Sequence, residues 1–77
     1  MKITIESTTK IVNLQLGGVD FPCRVWEGQT ESGVKVHCFI PRVAAKDSQD
    51  LSQFEAELLE QRAPSFEIQA FPLRFIL

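Results

Sequence analysis

The chain reads as one small α+β domain over residues 1–77. The expected architecture is an antiparallel β-meander of three to four strands, one amphipathic helix packed on one face, and a C-terminal strand, in the order β-β-β-β-α-β. Three observations lead there. Apolar residues recur in period two through much of the first forty positions, Gly17-Gly18 separates two such runs, and Leu51, Phe54 and Leu58 recur at helical spacing.

The first run, Lys2 to Glu6, places Ile3 and Ile5 on one side and is interrupted by Ser7-Thr8-Thr9. The second, Lys10 to Leu16, carries Val12, Leu14 and Leu16 in alternation. Glycine tolerates the positive φ that a two-residue hairpin turn demands, so Gly17-Gly18 predicts a hairpin. Such a turn pairs Leu16 with Val19, Leu14 with Phe21 and Val12 with Cys23, and all six then share one face. The next turn lies within Glu27–Gly33. A pairing in which residue numbers sum to 61 sets Val25 opposite Val36, Cys23 opposite Cys38, Arg24 opposite His37 and Trp26 opposite Lys35. That register collects Val19, Phe21, Cys23, Val25, Val34, Val36, Cys38 and Ile40 on a single apolar face.

Lys46 to Asp50 is a polar linker. Ser52 with Glu55 fits a capping box, and Asp50 is a rival cap. Leu51, Phe54, Leu58 and Leu59 form an apolar stripe expected to lie on the meander's apolar side, while Glu55, Glu57, Glu60 and Gln61 face water. Ala63-Pro64 is expected to stop the helix. Ser65 to Leu77 reads as a last strand with a change of phase near Pro72. Its ending is apolar on both parities, so Phe71, Leu73, Phe75, Ile76 and Leu77 are expected to form an interface with a second copy or another partner. The other reading is a central strand covered by the linker.

Composition narrows the function. Eight Lys and Arg against ten Asp and Glu give a net charge of −2, which argues against generic duplex nucleic-acid binding. No apolar run approaches the roughly 20 residues that cross a bilayer, and the first residues alternate rather than forming a signal peptide's apolar stretch. A cytosolic setting is expected, with Cys23 and Cys38 as core thiols and no metal site. His37 and Cys38 are neighbours on a strand and point to opposite faces, so they do not form a nucleophile and its base. No catalytic residues and no cofactor are implied. The cluster left is Arg24, Trp26, Lys35 and His37, read as a binding face for a small anionic, nucleotide-like ligand or an acidic protein surface. The competing reading is a solvent face on which Trp26 packs under the stem of Lys35.

Some segments carry a likeness. Met1-Lys2-Ile3-Thr4-Ile5-Glu6-Ser7-Thr8-Thr9-Lys10-Ile11-Val12, Arg24-Val25-Trp26-Glu27-Gly28 with Thr30-Glu31-Ser32-Gly33, and Arg62-Ala63-Pro64-Ser65 with Pro72-Leu73-Arg74 resemble short orphan proteins of tailed phages and prophages. That resemblance carries no catalytic signature. It implies an accessory factor of the host cell cytoplasm, such as an antagonist of bacterial immunity. Such a factor would be a homo-oligomer that sequesters a nucleotide signal, or alternatively an inhibitor or scaffold that occludes a host or phage protein.

Overall fold

The computed structural model describes residues 1–46 and 51–67. Three antiparallel strands, β1 (Ile3–Leu16), β2 (Val19–Thr30) and β3 (Lys35–Ile40), form a sheet in the order β1-β2-β3, and one helix, α1 (Leu51–Leu58), follows. The fold class is α+β, as expected. The order seen is β-β-β-α rather than one with four strands before the helix. Most of the expected C-terminal strand, with Phe71, Leu73, Phe75, Ile76 and Leu77, lies outside the described residues. Its first residues, Ser65 and Phe66, form a bend.

The first hairpin follows the glycine rule. Gly17 and Gly18 take φ of 59° and 79°, and Leu16 pairs with Val19, Leu14 with Phe21 and Val12 with Cys23. The expected break at Ser7-Thr8-Thr9 is instead a bulge within one long strand. Ser7 faces Trp26 and Ile11 faces Arg24, so Thr8, Thr9 and Lys10 stand opposite Val25 alone. Two surplus residues leave the alternation in phase, and the strand continues with its faces unchanged.

A bulge orphans backbone groups, and Thr8 supplies the substitute. Its buried hydroxyl donates to the Val25 carbonyl at 2.7 Å and accepts from the Lys10 N–H at 3.2 Å. Thr8→Val would leave that carbonyl unpaired, at a cost of about 1–3 kcal/mol. Urea midpoints are expected to fall accordingly, whereas Thr8→Ser should hold most of the stability. An unchanged midpoint for the valine variant would show that the hydroxyl is dispensable.

The second hairpin departs from the expected register. The Gly33 N–H donates to the Thr30 carbonyl at 3.0 Å, the Thr30 N–H to the Val34 carbonyl at 3.0 Å, and Gly33 sits at φ 88°. This is a three-residue loop closed by Thr30 and Val34, with glycine at its left-handed position. Its odd length makes paired numbers sum to 64: Val25 meets Phe39, Trp26 meets Cys38, and Glu27 meets His37. Relative to β2, every side chain of β3 is therefore on the face opposite to the expected one.

The sheet thus has two differently furnished faces. The front carries Val12, Leu14, Phe21, Cys23, Val25, Glu27, His37 and Phe39. The back carries Ile5, Ser7, Arg24, Trp26, Val36, Cys38 and Ile40. Cys23 and Cys38 stand on opposite faces, both free thiols. Gly28, opposite Ile5, leaves no room for a side chain: a Cβ there would lie 2.8 Å from the Ile5 Cα and collide with the Thr4 carbonyl.

The helix lies on the back face, not on the side carrying Val25 and Cys23. Phe54 and Leu58 share a cleft there with Ser7, Arg24, Trp26 and Ile40. It begins at Leu51, which places Ser52 inside its first turn, and it ends at Leu58 rather than running to Ala63. The early stop has a cause in the sheet. The chain beyond it is taken up by β1: Ser7 Oγ donates to the Glu60 carbonyl at 2.9 Å, the Thr9 N–H to the Arg62 carbonyl at 2.9 Å, and the Arg62 N–H to the Ser7 carbonyl at 3.3 Å. Residues 60–62 run along the β1 edge at the bulge and carry the chain from the back face to the front.

Candidate functional site

On the front face the strap that follows the helix is held by one acid. Glu27 is 1 % exposed, and each of its partners is a donor. Arg62 Nη1 forms an ion pair with Oε1, while the Ser65 N–H reaches Oε2 at 2.8 Å and Oε1 at 2.9 Å. Ser65 Oγ donates to Oε1 at 2.8 Å, the Phe66 N–H approaches Oε2 at 3.4 Å, and His37 Nε2 lies 3.0 Å from Oε2. Since an ionised carboxylate only accepts, the geometry assigns the proton of this contact to His37 Nε2.

Burial pushes the Glu27 carboxyl upward. Arg62, the Ser65 N–H, His37 and the Ser65 hydroxyl outweigh it and hold the group well below the usual carboxylate range. Arg62 also pairs with Glu6 at 3.2 Å, and its guanidinium is held above its ordinary value first by Glu27 and then by Glu6. The His37 ring lies against Phe66 with centroids 4.1 Å apart.

This arrangement has the chemistry of a clasp. Its carboxylate is saturated with donors and closed to solvent, and the His37 side chain is only 5 % exposed. Cys23 shares the front face, but four residue steps along the strand, about 13 Å, separate it from Glu27. Its thiol is directed at the Phe21 carbonyl at 3.5 Å. Cys38 points to the back, and burial raises its thiol. Among the described residues, no group of three His, Cys, Asp or Glu side chains could hold a metal ion. No described helix is long and apolar enough to cross a membrane.

The four residues expected to form one binding face are divided. Arg24 and Trp26 are together on the back. Lys35 and His37 are on the front, where Lys35 reaches Gln29 Oε1 at 3.4 Å and His37 is committed to Glu27. His37 is oriented by Glu27, a residue that the sequence places within the second turn. A signal was available: Glu27 continues the parity of Val19, Phe21, Cys23 and Val25, and an acid on a buried face requires partners.

Arg24 and Trp26 form part of a cleft of about 350 Å³ between the sheet and α1. Arg24 Nη1 donates to the Thr8 carbonyl at 2.9 Å, which fixes the guanidinium to the bulge through one of its five donors. Arg42, just beyond β3, lines the same cleft, as do Phe54 and Glu57 from the helix. The site therefore offers one indole, two guanidinium groups, an apolar wall and one carboxylate. No family model matches the chain, and neither a curated protein nor a solved structure matches it.

Proposed function

We propose that the chain is a non-enzymatic binding protein that takes up an anionic, nucleotide-like ligand in the cleft between its sheet and its helix. The observation that carries this reading is the convergence of Trp26, Arg24 and Arg42 on one cavity. An indole offers a flat stacking surface, and guanidinium groups match phosphate oxygens in a planar fork. A volume of about 350 Å³ falls at the small end of ligand sites. Lys35 and His37, on the other face, have no part in this version of the site.

The reading is sequestration rather than conversion, and it is supported by the Ser7 hydroxyl, which lines the cleft but is committed to the Glu60 carbonyl at 2.9 Å. The wider setting, a phage-type antagonist of bacterial immunity acting as a homo-oligomer in the host cytoplasm, rests on the resemblance of the sequence and on its apolar ending. A second reading, an inhibitor that occludes a protein surface, is favoured by the outer end of the first hairpin. There Leu16, Val19 and Phe21 are 56 %, 54 % and 41 % exposed on one face.

Calorimetry with a panel of cyclic and linear nucleotides tests the first reading. Heat is expected with at least one of them and should vanish in Trp26→Ala. Silence across the panel would remove the ligand, and sedimentation of the same sample as a strict monomer would remove the oligomer.

A further inference from the structure

We infer that the cleft prefers guanine to adenine nucleotides, with Glu57 reading the base edge and Arg42 holding the phosphate. This rests on the reading of the cleft as a nucleotide site.

The starting point is an apparent contradiction. A cleft suited to an anion carries a carboxylate, Glu57, in its wall. Its Oε1 accepts from Gln53 Nε2 at 3.0 Å, within the same helix. Among the described residues Glu57 has no ion pair with either arginine of the cleft. An acid in that position repels a phosphate and can accept from a donor on whatever enters.

A nucleotide can satisfy both demands at once if its two ends are chemically opposite. Ionised carboxylates only accept, so Glu57 selects a base edge with adjacent donors. The Watson–Crick edge of guanine offers two, N1–H beside the N2 amino group. Adenine offers its N6 amino group beside the N1 lone pair, which would face a carboxylate oxygen and be repelled. Cytosine has the same donor-and-lone-pair arrangement, and uracil has a single N–H flanked by carbonyls. Guanine alone matches.

The other end is assigned by the arginines. Arg24 is tethered to the bulge through Thr8, which places it as a fixed part of the sheet-side wall near the stacked ring. Arg42 is exposed and makes no ion pair among the described residues, and its guanidinium suits a phosphate. Trp26 supplies the stacking surface between them.

Trp26 is the only tryptophan, so its emission reports the cleft directly. The full chain is titrated with guanosine and adenosine 5′-monophosphates, alongside Glu57→Gln and Arg42→Gln. Glu57 and Arg42 are exposed, so both variants should fold. The wild type is expected to bind the guanine nucleotide about tenfold tighter or more, the discrimination of a good bidentate base contact. Glu57→Gln should abolish the preference, and Arg42→Gln should weaken both ligands equally. Equal affinities in the wild type, or a guanine preference that survives Glu57→Gln, would overturn the base assignment while leaving the cleft a nucleotide site. No change of emission with either nucleotide would overturn the nucleotide site itself.

Discussion

Gly28→Ala is expected to lose about 3 kcal/mol, the upper part of the range for forcing extra volume into a packed site. The added methyl would collide with the Thr4 carbonyl and crowd the Ile5 Cα, both backbone atoms of the neighbouring strand. Flexible side chains can turn aside, but a paired strand can yield only by moving. Relief requires β1 to separate from β2 near Ile5, which loosens Glu6 opposite Glu27 as well. A core of this size supplies roughly 3–5 kcal/mol, so the variant would sit close to its unfolding midpoint in water. Denaturation followed by Trp26 emission measures the loss. A midpoint within experimental error of wild type would mean that the strands have room that the structure denies.

Glu27→Ala should have a comparable effect for a different reason. Removing one partner of a buried ion pair costs about 3–5 kcal/mol, chiefly through the groups left behind. Arg62 is 40 % exposed and can regain water, which favours the lower figure. The buried His37 side chain has no such recourse, whereas Ser65 is exposed and shares in that relief. Glutamine is not a rescue: it restores size and one acceptor oxygen but presents an NH₂ group to a ring of donors.

The acid also predicts a pH dependence. The folded Glu27 stays ionised well below the ordinary glutamate value of about 4.3, whereas the unfolded chain takes up a proton there. Its stabilisation is therefore complete above that value. It is lost as pH falls toward the native-state value, at up to about 1.4 kcal/mol per pH unit. Glu27→Gln should flatten the acid limb of a stability–pH profile by one proton. An identical slope in wild type and variant would show that the carboxylate is not held as the geometry requires.

These particulars show how far the sequence could be read. Local chemistry was legible: Gly17-Gly18 specifies a turn whose two-residue length sets the pairing of the first hairpin, and the helical spacing of Leu51, Phe54 and Leu58 is realised. The grouping of Arg24 with Trp26 survives because it depends only on alternation within one strand. Their expected partners Lys35 and His37 fail because a loop of odd length intervenes. Apolar parity cannot choose between an odd and an even loop when both faces of the sheet have something to cover them. Val36, Cys38 and Ile40 found that cover on the back, beside the helix. The bulge looked like a break because its justification, the approach of Arg62 to Thr8, lies more than fifty residues away.

That separation has a consequence for the order of assembly. The three strands close through loops of two and three residues, which cost little entropy and can form early. The strap is tied down by Glu27 reaching Ser65 across 38 residues, a closure rewarded only once the acid already has a folded sheet around it. The meander is thus a template on which the helix and the strap are laid last. The cleft lined by Trp26, Arg24 and Phe54, which needs both the sheet and the helix, is a product of that final step.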